Sequence, residues 1–277
     1  MRHAAWAVLV LCLGACAGHA ETLKLPLNVE GALTQGALVE GQTAPGAAVT
    51  LDGVAIRTNP DGHFVIGFGR DHGPNASLAA TKDGETVTKT LTISARTYDI
   101  QRIEGLPPKQ VTPPPEVQAR IAEEAKRLAE LRKLDTGTVP VLGGFVWPAT
   151  GRISGVYGSQ RILNGEPRAP HLGLDIAGAV GAPVRATATG RVVLADPDLY
   201  FTGGTIVIDH GAGVESIYCH LSKLDVKEGQ EVAAGDPIGA IGMTGRATGP
   251  HLHWGLTWHD ERLDPALLMK TPMPASP

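Results

Sequence analysis

This chain of 277 residues contains few cysteines and few aromatic residues, and its net charge is not positive. Only three cysteines are present, and removal of an N-terminal leader would leave Cys219 alone, which excludes an intramolecular disulfide in the mature chain. Such a chain depends on its hydrophobic cores, and on a metal ion if it binds one. Aromatic residues make up 4%, whereas 35 Gly and 21 Pro indicate short strands and frequent turns rather than long helices.

The charge balance also excludes some classes of partner. A net charge of -4 and a pI near 6.2 give no general argument for binding nucleic acid or an anionic membrane surface, although they leave room for local basic patches. Hydrophobic residues make up 43% of the chain, so most of it is expected to be globular. We expect no transmembrane span in the mature chain, and the composition says nothing about its oligomeric state.

The N-terminus has the layout of a secretory signal peptide. Arg2 precedes an apolar run at residues 6–13 and a stretch of small residues. The apolar run is too short for a membrane span, and the small residues favour cleavage after Ala20, with Ala17 as the alternative. The sequence therefore predicts export to the periplasm. Cys16 closes a segment similar to a lipoprotein processing box, so lipid anchoring at this residue is the alternative.

Residues 21–97 show short apolar or alternating runs separated by turn signals. This pattern predicts a small β-sandwich. The sequences of residues 45–51 and 61–64 are similar to those of immunoglobulin-like bacterial surface modules. Whether the module binds glycan, protein or nothing is left open by the sequence. The predicted strands are Gly36–Gly41, Ala48–Leu51, Val54–Thr58, His63–Phe68, Ala76–Thr81 and Val87–Ser94.

Residues 98–140 are predicted to form a proline-rich linker followed by a helix. Tandem prolines at 113–115 favour an extended spacer, and Glu116 to Leu134 shows helical periodicity with acidic residues early and basic residues late. The apolar stripe is expected to pack on a domain, and residues 116–140 are hypothesised to restrict access to a substrate groove. The stripe consists of Val117, Ile121, Leu128, Leu131 and Leu134.

The strand-and-turn pattern returns in residues 141–270, before a flexible tail at 271–277. We therefore expect a mainly β protein: a C-terminal antiparallel sheet or sandwich domain, an N-terminal immunoglobulin-like sandwich and one linking α-helix. The strands predicted in the C-terminal domain are Gly190–Ala195, Thr205–Asp209, Glu215–His220, Asp225–Val226, Pro237–Ile241 and His251–Thr257.

Three separated motifs of the C-terminal domain carry residues suited to metal chemistry. His171 and Asp175 are four residues apart, His220 ends a predicted strand, and His251 and His253 alternate along another. Side chains two apart on a strand share a face, so the last two histidines should lie about 6–7 Å apart along the chain. One carboxylate and two histidines satisfy a catalytic zinc site with a free position for water, and leave further histidines for proton transfer. Cys219 would face away from His220 on a regular strand, which argues against a sulfur ligand.

The order of these motifs resembles that of the LytM/lysostaphin-type zinc metallopeptidases, peptidoglycan endopeptidases with a duplicated-hybrid-motif β fold. Two further segments are similar to the same family: the one with regularly spaced glycines at 229–239 and the sequence at 244–253. The resemblance covers about residues 145–268. It implies that His171, Asp175 and His253 bind one zinc ion per chain. It also implies that His220 and His251 are the catalytic pair, with the roles of base and oxyanion stabiliser left open.

The resemblance further implies hydrolysis of peptide cross-links or stem peptides in peptidoglycan, with the bond undetermined. Some family members have lost ligands and activate cell-wall amidases by binding a protein partner instead. All five polar positions are present here, which favours hydrolysis over this regulatory alternative. A third alternative is a wall-binding protein that acts through its N-terminal module.

Several other polar residues have structural interpretations. Asp209 and His210 are predicted to end a strand and enter a turn, and Arg246 to fix a loop. The remaining four could contact substrate or serve packing and loop shape: Tyr157, Tyr200, Arg161 and Asn164.

Overall fold

The structure is a computed structural model that describes residues 24–105, 113–134 and 144–273. The predicted leader, Cys16 and the end of the predicted tail lie outside the described residues. In the part of the chain that is described, no helix combines the length and apolar character needed to cross a bilayer. The described chain is mainly β, as predicted from its glycine, proline and strand patterns.

The N-terminal module contains seven strands among its described residues, arranged in two antiparallel sheets. One sheet has the order β1-β2-β5 and the other β4-β3-β6-β7, and the apolar faces of both contribute to one core. Six strands agree with the sequence prediction, whereas β1 was missed. The immunoglobulin-like assignment stays a prediction. The strands are β1 Leu27–Glu30, β2 Leu38–Thr43, β3 Ala48–Leu51, β4 Val54–Ile56, β5 His63–Gly67, β6 Asn75–Lys82 and β7 Glu85–Thr92.

The segment after this module is more than a spacer. Strand β8, Ile100–Ile103, pairs in parallel with β10, Gln160–Leu163, and β11, Glu166–Pro167, completes a small sheet. The backbone hydrogen bonds of this sheet join the predicted linker to the C-terminal domain. Sequence reasoning missed β8 because four residues are too few to show a periodic pattern.

The C-terminal domain is built on a large antiparallel sheet. Within the described residues this sheet has eight strands in the order β18-β14-β15-β16-β20-β12-β9, with β21 beside β20. The predicted antiparallel sheet is confirmed. Its strands are β9 Arg152–Gly155, β12 Leu174–Ala177, β14 Gly190–Leu199, β15 Gly203–Gly211, β16 Val214–Leu221, β18 Glu231–Val232, β20 His251–Trp258 and β21 Glu261–Leu263.

A second, three-stranded sheet of order β13-β19-β17 covers one face of the large sheet, and a short 3₁₀ helix, Pro265–Leu268, follows β21. Val184, Ile238 and Ile241 from this side meet Ile206 and Trp254 in one core, and all five side chains are fully buried. The strand predicted at Asp225–Val226 is observed two residues earlier, at Lys223–Leu224, and the N–H of Asp225 donates the last hydrogen bond to β19, to the carbonyl oxygen of Ile238. The three strands are β13 Pro183–Arg185, β17 Lys223–Leu224 and β19 Pro237–Ala240.

Helix α1, Pro115–Leu131, packs on the opposite face of the large sheet. Leu128 and Leu131 contact a small cluster that includes Leu194 and Val207, so the predicted packing of the apolar stripe is observed. Every residue of β15 is buried because the small sheet covers one of its faces and α1 the other. Leu134 lies beyond the end of the helix and is 40% exposed, which shortens the predicted helix by one turn.

The N-terminal module and the C-terminal domain share one apolar core. Phe68 of the module belongs to the same cluster as Leu256 and Trp258 of β20. Arg96 forms a 2.9 Å ion pair with the buried Asp264, which fixes the same interface by charge. Because apolar burial and a partly buried ion pair act together, we expect the two parts to unfold as one unit.

A buried carboxylate lies between the large sheet and α1. Glu215 of β16 is 4% exposed and is the register partner of Asp209 on β15. Burial, together with the negative charge of Asp209, raises the pKa of Glu215 to about 7, and the positive charges of Arg132 and Arg262 oppose this rise. Glu215 is therefore neutral in much of the acidic range in the folded protein.

This burial predicts that stability falls as the pH rises. Unfolded glutamate titrates near pH 4.5, so the folded state binds the extra proton between about pH 4.5 and 7; this contribution to stability is complete below pH 4.5 and is lost as the pH rises through this range to about 7. The loss is about 3 kcal/mol at most. We expect Glu215→Gln to reduce the pH dependence of the unfolding free energy, measured with urea at pH 5 and pH 8. Equal pH dependence in wild type, Glu215→Gln and the exposed control Glu231→Gln would contradict the assignment.

Candidate metal centre

Two adjacent strands bring His251 and His253 close to the carboxylate of Asp175. β20 pairs with β12 so that His253 lies opposite Asp175 and His251 opposite Ala177. Leu252 and Trp254, the alternate residues of β20, are fully buried in the core behind the sheet. The period of two therefore places both histidines on the groove face, as predicted from the sequence.

Three side chains converge on one point. Oδ1 of Asp175 lies 3.0 Å from Nε2 of His171 and 2.8 Å from Nδ1 of His253, and the two imidazole nitrogens are 3.0 Å apart. These are the residues predicted as zinc ligands, and among the described residues they form a group able to hold a metal ion.

The donor set fits zinc. Two nitrogens and one carboxylate oxygen are the usual ligands of a catalytic zinc site. Ligand atoms about 2.1 Å from a tetrahedral ion lie about 3.4 Å apart, so the observed separations require an expansion of only a few tenths of an ångström. The ring of His171 is already oriented, because its Nδ1 donates to the carbonyl oxygen of Val156 at 3.0 Å and leaves Nε2 free to coordinate.

Two glycines make room for these ligands, and sequence reasoning did not single them out. A Cβ at Gly155 would lie 2.3 Å from Oδ2 of Asp175, and one at Gly173 would lie 2.6 Å from the ring of His253. Neither distance is compatible with the present side-chain positions. The only signal for Gly173 was its place between His171 and Asp175.

The ligand cluster holds its carboxylate ionised. Burial alone would raise the pKa of Asp175, but the close approach of the imidazole nitrogens of His171 and His253 outweighs it and brings the pKa well below the usual range. Burial lowers the pKa of His253 despite the opposing effect of Asp175. An ionised carboxylate and a neutral imidazole are the protonation states in which these groups bind a metal.

The predicted catalytic pair lies beside the ligands. The ring centroids of His220 and His251 are 4.7 Å apart, and that of His220 is 6.2 Å from that of His253. Nδ1 of His220 donates to the carbonyl oxygen of Thr244 at 2.8 Å, and Nδ1 of His251 donates to that of Gly249 at 2.8 Å. Both Nε2 atoms therefore carry a lone pair, the arrangement that a proton acceptor needs.

His220 occupies an unusual backbone conformation at the end of β16. Its φ of 64° lies in the left-handed region, which side-chain-bearing residues seldom adopt, and its N–H donates to the carbonyl oxygen of Thr202. Burial, followed by the nearby His253 and His251, lowers the pKa of His220 to about 3. The ring is therefore neutral at physiological pH.

A cavity of about 250 Å³ opens beside the cluster. Besides the strands of the ligand cluster, its walls come from strands β8, β9 and β10, the end of β16, the turn after β14 and the loop before β20. The residues that line it are Gln101, Ile103, Ser154, Arg161, Leu163, Asp175, Phe201, Thr202, His220, Arg246, Ala247, Thr248, His251 and His253. Gln101, Ile103 and Phe201 were not predicted, because only tertiary pairing places them here.

The remaining candidate residues do not all lie at the cavity. Arg161 and Arg246 line the cavity, whereas Tyr157 is buried and donates to the carbonyl oxygen of Arg262 at 2.7 Å. Neither Tyr200 nor Asn164 is among the described residues that line the cavity.

Two further residues have structural roles. Asp209 and His210 are among the last residues of β15, which ends at Gly211 and leads through a turn into β16, as predicted. The ring nitrogens of His210 lie 2.8 Å from the Thr189 carbonyl oxygen and from Oγ of Ser216. Burial raises the pKa of the free Cys219 thiol, and this residue is not part of the metal-binding group.

Comparison with known proteins gives one family. Residues 169–265 match Peptidase family M23. The chain is 44% identical over 106 residues to peptidoglycan DD-endopeptidase ShyA of Vibrio cholerae, covering 38% of this chain and 24% of that relative. It is 36% identical over 126 residues to a lipoprotein NlpD/LppB homolog of Pseudomonas aeruginosa, covering 46% of this chain and 40% of that relative. The chain thus spans less than half the length of either relative.

A solved structure extends the likeness beyond the residues matched by the family. A Pseudomonas aeruginosa protein named as a peptidase M23 aligns with a TM-score of 0.66 and 27% sequence identity, over 85% of this chain and 94% of that chain. The aligned share is larger than the family match, so it includes residues outside 169–265. The family resemblance inferred from the three histidine motifs is confirmed, because residues 169–265 match peptidase family M23 and the fold is similar to that of a protein named for the same family.

Proposed function

We propose that the protein is an exported zinc metalloendopeptidase that cleaves cross-links or stem peptides of peptidoglycan. The observation that carries this proposal is the complete set of five groove side chains. His171, Asp175 and His253 supply the ligand atoms, and His220 and His251 present Nε2 lone pairs beside them. A protein that only bound a partner would not need this arrangement of proton acceptors.

The chain's own residues account for binding and proton transfer. Zinc, when bound by the three ligands, supplies Lewis-acid activation of water near neutral pH. The Nε2 atom of His220 or His251 accepts a proton from that water, and the resulting imidazolium returns it to the leaving amine. The backbone carbonyl oxygens that accept from both Nδ1 atoms hold the rings in this tautomer and stabilise the protonated form.

The relatives support peptidoglycan as the substrate. One is named a peptidoglycan DD-endopeptidase and others are named DD-carboxypeptidase/endopeptidase Mpg of Neisseria. The apolar leader predicted at residues 6–13 would deliver the protein to the compartment that contains this polymer. The proposed substrate is therefore a peptide of the cell wall, with the D-alanyl–diaminopimelate cross-link as the first bond to test.

A digest of purified peptidoglycan tests this proposal. The full mature chain, loaded with one zinc ion, is incubated with cross-linked muropeptide dimers, and the products are separated by mass and assayed for new amine termini. We expect wild type to convert dimers to monomers and His251→Ala to leave them intact. Zinc-loaded wild type that produces no new amine termini would overturn the endopeptidase proposal.

A regulatory role is the second candidate. One relative is named a lipoprotein NlpD/LppB homolog, and another, of Salmonella dublin, is named murein hydrolase activator NlpD and is 31% identical over 149 residues. In this role the groove would bind a cell-wall amidase rather than cut a peptide. Stimulation of an added amidase by both wild type and Asp175→Ala would support the regulatory role, because it would not depend on the ligand set.

The hypothesis that residues 116–140 restrict access is not supported by the position of α1. None of its residues is among the described residues that line the cavity, and residues 135–140 lie outside the described part of the chain. The part of the predicted linker that does line the cavity is β8, through Gln101 and Ile103. Deletion of residues 21–140 would remove this wall and expose the shared core, so that experiment would not isolate the helix.

A further inference from the structure

The turn after β14, residues 200–202, connects helix α1 to the candidate catalytic histidines. Phe201 and Thr202 line the cavity beside the ligand cluster. The first residue of the turn, Tyr200, is not among the described residues that line the cavity, and its backbone N–H is hydrogen bonded to α1. The turn is therefore in contact with the groove through two of its residues and with the helix through the third.

Helix α1 holds this turn through a largely buried carboxylate. Oε2 of Glu124 accepts a hydrogen bond of 2.9 Å from the backbone N–H of Tyr200. The Glu124 side chain is only 16% exposed, and its other oxygen, Oε1, accepts from Nε of Arg120 at 2.6 Å. Because both carboxylate oxygens are engaged, the side chain is held in one orientation. A hydrogen bond to an ionised acceptor of this kind is stronger than one between neutral groups.

The same helix contacts the end of β14 immediately before the turn. Nη2 of Arg120 donates to the carbonyl oxygen of Asp198, and Nη1 of Arg127 donates to Oδ2 of Asp196 at 2.7 Å. Leu199 is buried and belongs to the apolar cluster on which α1 packs. Polar and apolar contacts with α1 thus fix the chain up to the turn, and Glu124 extends this contact into it.

On the groove side, the turn holds the backbone of His220. The carbonyl oxygen of Thr202 accepts from the backbone N–H of His220 at 2.7 Å. The left-handed backbone conformation of His220 persists only where the surrounding structure imposes it, and this hydrogen bond is one of the contacts that do so. A shift of the turn would therefore move the backbone of the histidine.

The turn also supports the ring of His220, through the neighbouring loop. Nδ1 of His220 donates to the carbonyl oxygen of Thr244 at 2.8 Å, and Oγ1 of Thr244 accepts from the N–H of Gly204 at 2.9 Å. In the same loop, the N–H of Arg246 donates to the carbonyl oxygen of Phe201 at 2.8 Å. The backbone and the ring of His220 therefore both depend on where this turn lies.

We infer that Glu124 is a positioning residue, which fixes the turn after β14 from the helix side and so holds His220 in place for proton transfer. This inference rests on the proposed function. Glu124 is not among the described residues that line the cavity, so it acts through the turn rather than on the substrate. A displacement of about 1 Å caused far from the reacting atoms can lower the rate about 100-fold, because proton transfer requires close, aligned groups. Loss of Glu124 should therefore lower kcat and leave KM nearly unchanged.

Amide hydrogen exchange tests this positioning without catalysis. The backbone N–H of His220 is bonded to Thr202, so its exchange rate reports how often the turn and the end of β16 separate. Exchange is measured by NMR in the zinc-loaded mature chain of wild type and of Glu124→Ala. We expect about tenfold faster exchange at His220 in Glu124→Ala, as for the loss of one charge-assisted hydrogen bond, and unchanged exchange in β6 of the N-terminal module.

Steady-state kinetics on cross-linked muropeptide dimers give the second readout. Glu124→Ala is expected to lower kcat about tenfold with KM unchanged. Glu124→Gln keeps an oxygen that can accept from the N–H of Tyr200, so it should retain most of kcat and the slow exchange at His220. The matched control is Glu130→Ala, which removes an exposed 2.8 Å ion pair with Lys133 of the chain that follows the same helix. Both readouts of this control should equal those of wild type.

The outcomes separate this inference from the proposed function. Faster exchange at His220 in Glu124→Ala, with no cleavage by wild type, would support the positioning of His220 and overturn the endopeptidase proposal. Cleavage by wild type, with kcat and His220 exchange unchanged in Glu124→Ala, would overturn the positioning role and leave the endopeptidase proposal intact. Exchange that accelerates equally at His220 and in β6 would also overturn the positioning role, because it would indicate a general loss of stability.

Discussion

Replacement of Asp175 by alanine is expected to remove zinc and peptide hydrolysis together. Its Oδ1 lies within 3.0 Å of ligand nitrogens of both His171 and His253, and it is the one carboxylate of the three side chains. Without it, two neutral imidazoles remain with no anionic ligand. Lewis-acid activation contributes several kcal/mol to such reactions, so activity should fall by roughly 10³-fold or more.

Zinc content per chain, measured after dialysis, provides a readout of Asp175→Ala that does not depend on activity. Asp198→Ala is a suitable control, because this aspartate is 83% exposed and lies outside the cavity lining. Circular dichroism of both variants checks that loss of metal is not loss of fold. Stoichiometric zinc in folded Asp175→Ala would contradict its assignment as a ligand.

Replacement of His251 by alanine is expected to abolish hydrolysis as well, but with zinc retained. Its Nε2 is 3.8 Å from Oδ1 of Asp175, beyond hydrogen-bond distance, and it is not part of the metal-binding group of the described residues. Proton transfer by a positioned side chain contributes about 10²- to 10⁴-fold, which sets the expected loss in kcat. The matched control is His63→Ala, an exposed histidine of β5 in the N-terminal module.

The corresponding substitution of His220 needs a residue that tolerates the backbone conformation of this position. His220 has a φ of 64°, where alanine is strained and asparagine is better tolerated, so His220→Asn removes the imidazole with less disturbance. It should also retain zinc and lose hydrolysis. If either variant lost zinc while it stayed folded, that histidine would have to be reassigned from proton transfer to metal binding.

The sequence by itself determined the composition of the candidate site. The spacing of His171 and Asp175 and the alternation of His251 and His253 identified the side chains that the structure brings together. Such local patterns can be recognised in the sequence because side chains along a strand point to alternating faces of the sheet. The face on which each side chain lies can therefore be predicted without knowledge of the fold. The same reasoning identified α1 from its apolar stripe, with an error of one turn at its end.

Only the tertiary structure decided what surrounds those residues. The four residues of β8 become part of the groove because they pair with β10, a contact between segments about 60 residues apart that leaves no periodic trace in either one. In the same way Arg161 meets Gln101 and Arg246 stacks on Phe201. Local sequence determines on which side of a strand a side chain lies. Long-range pairing determines which residues lie opposite that side chain, and it brings the walls of this groove together.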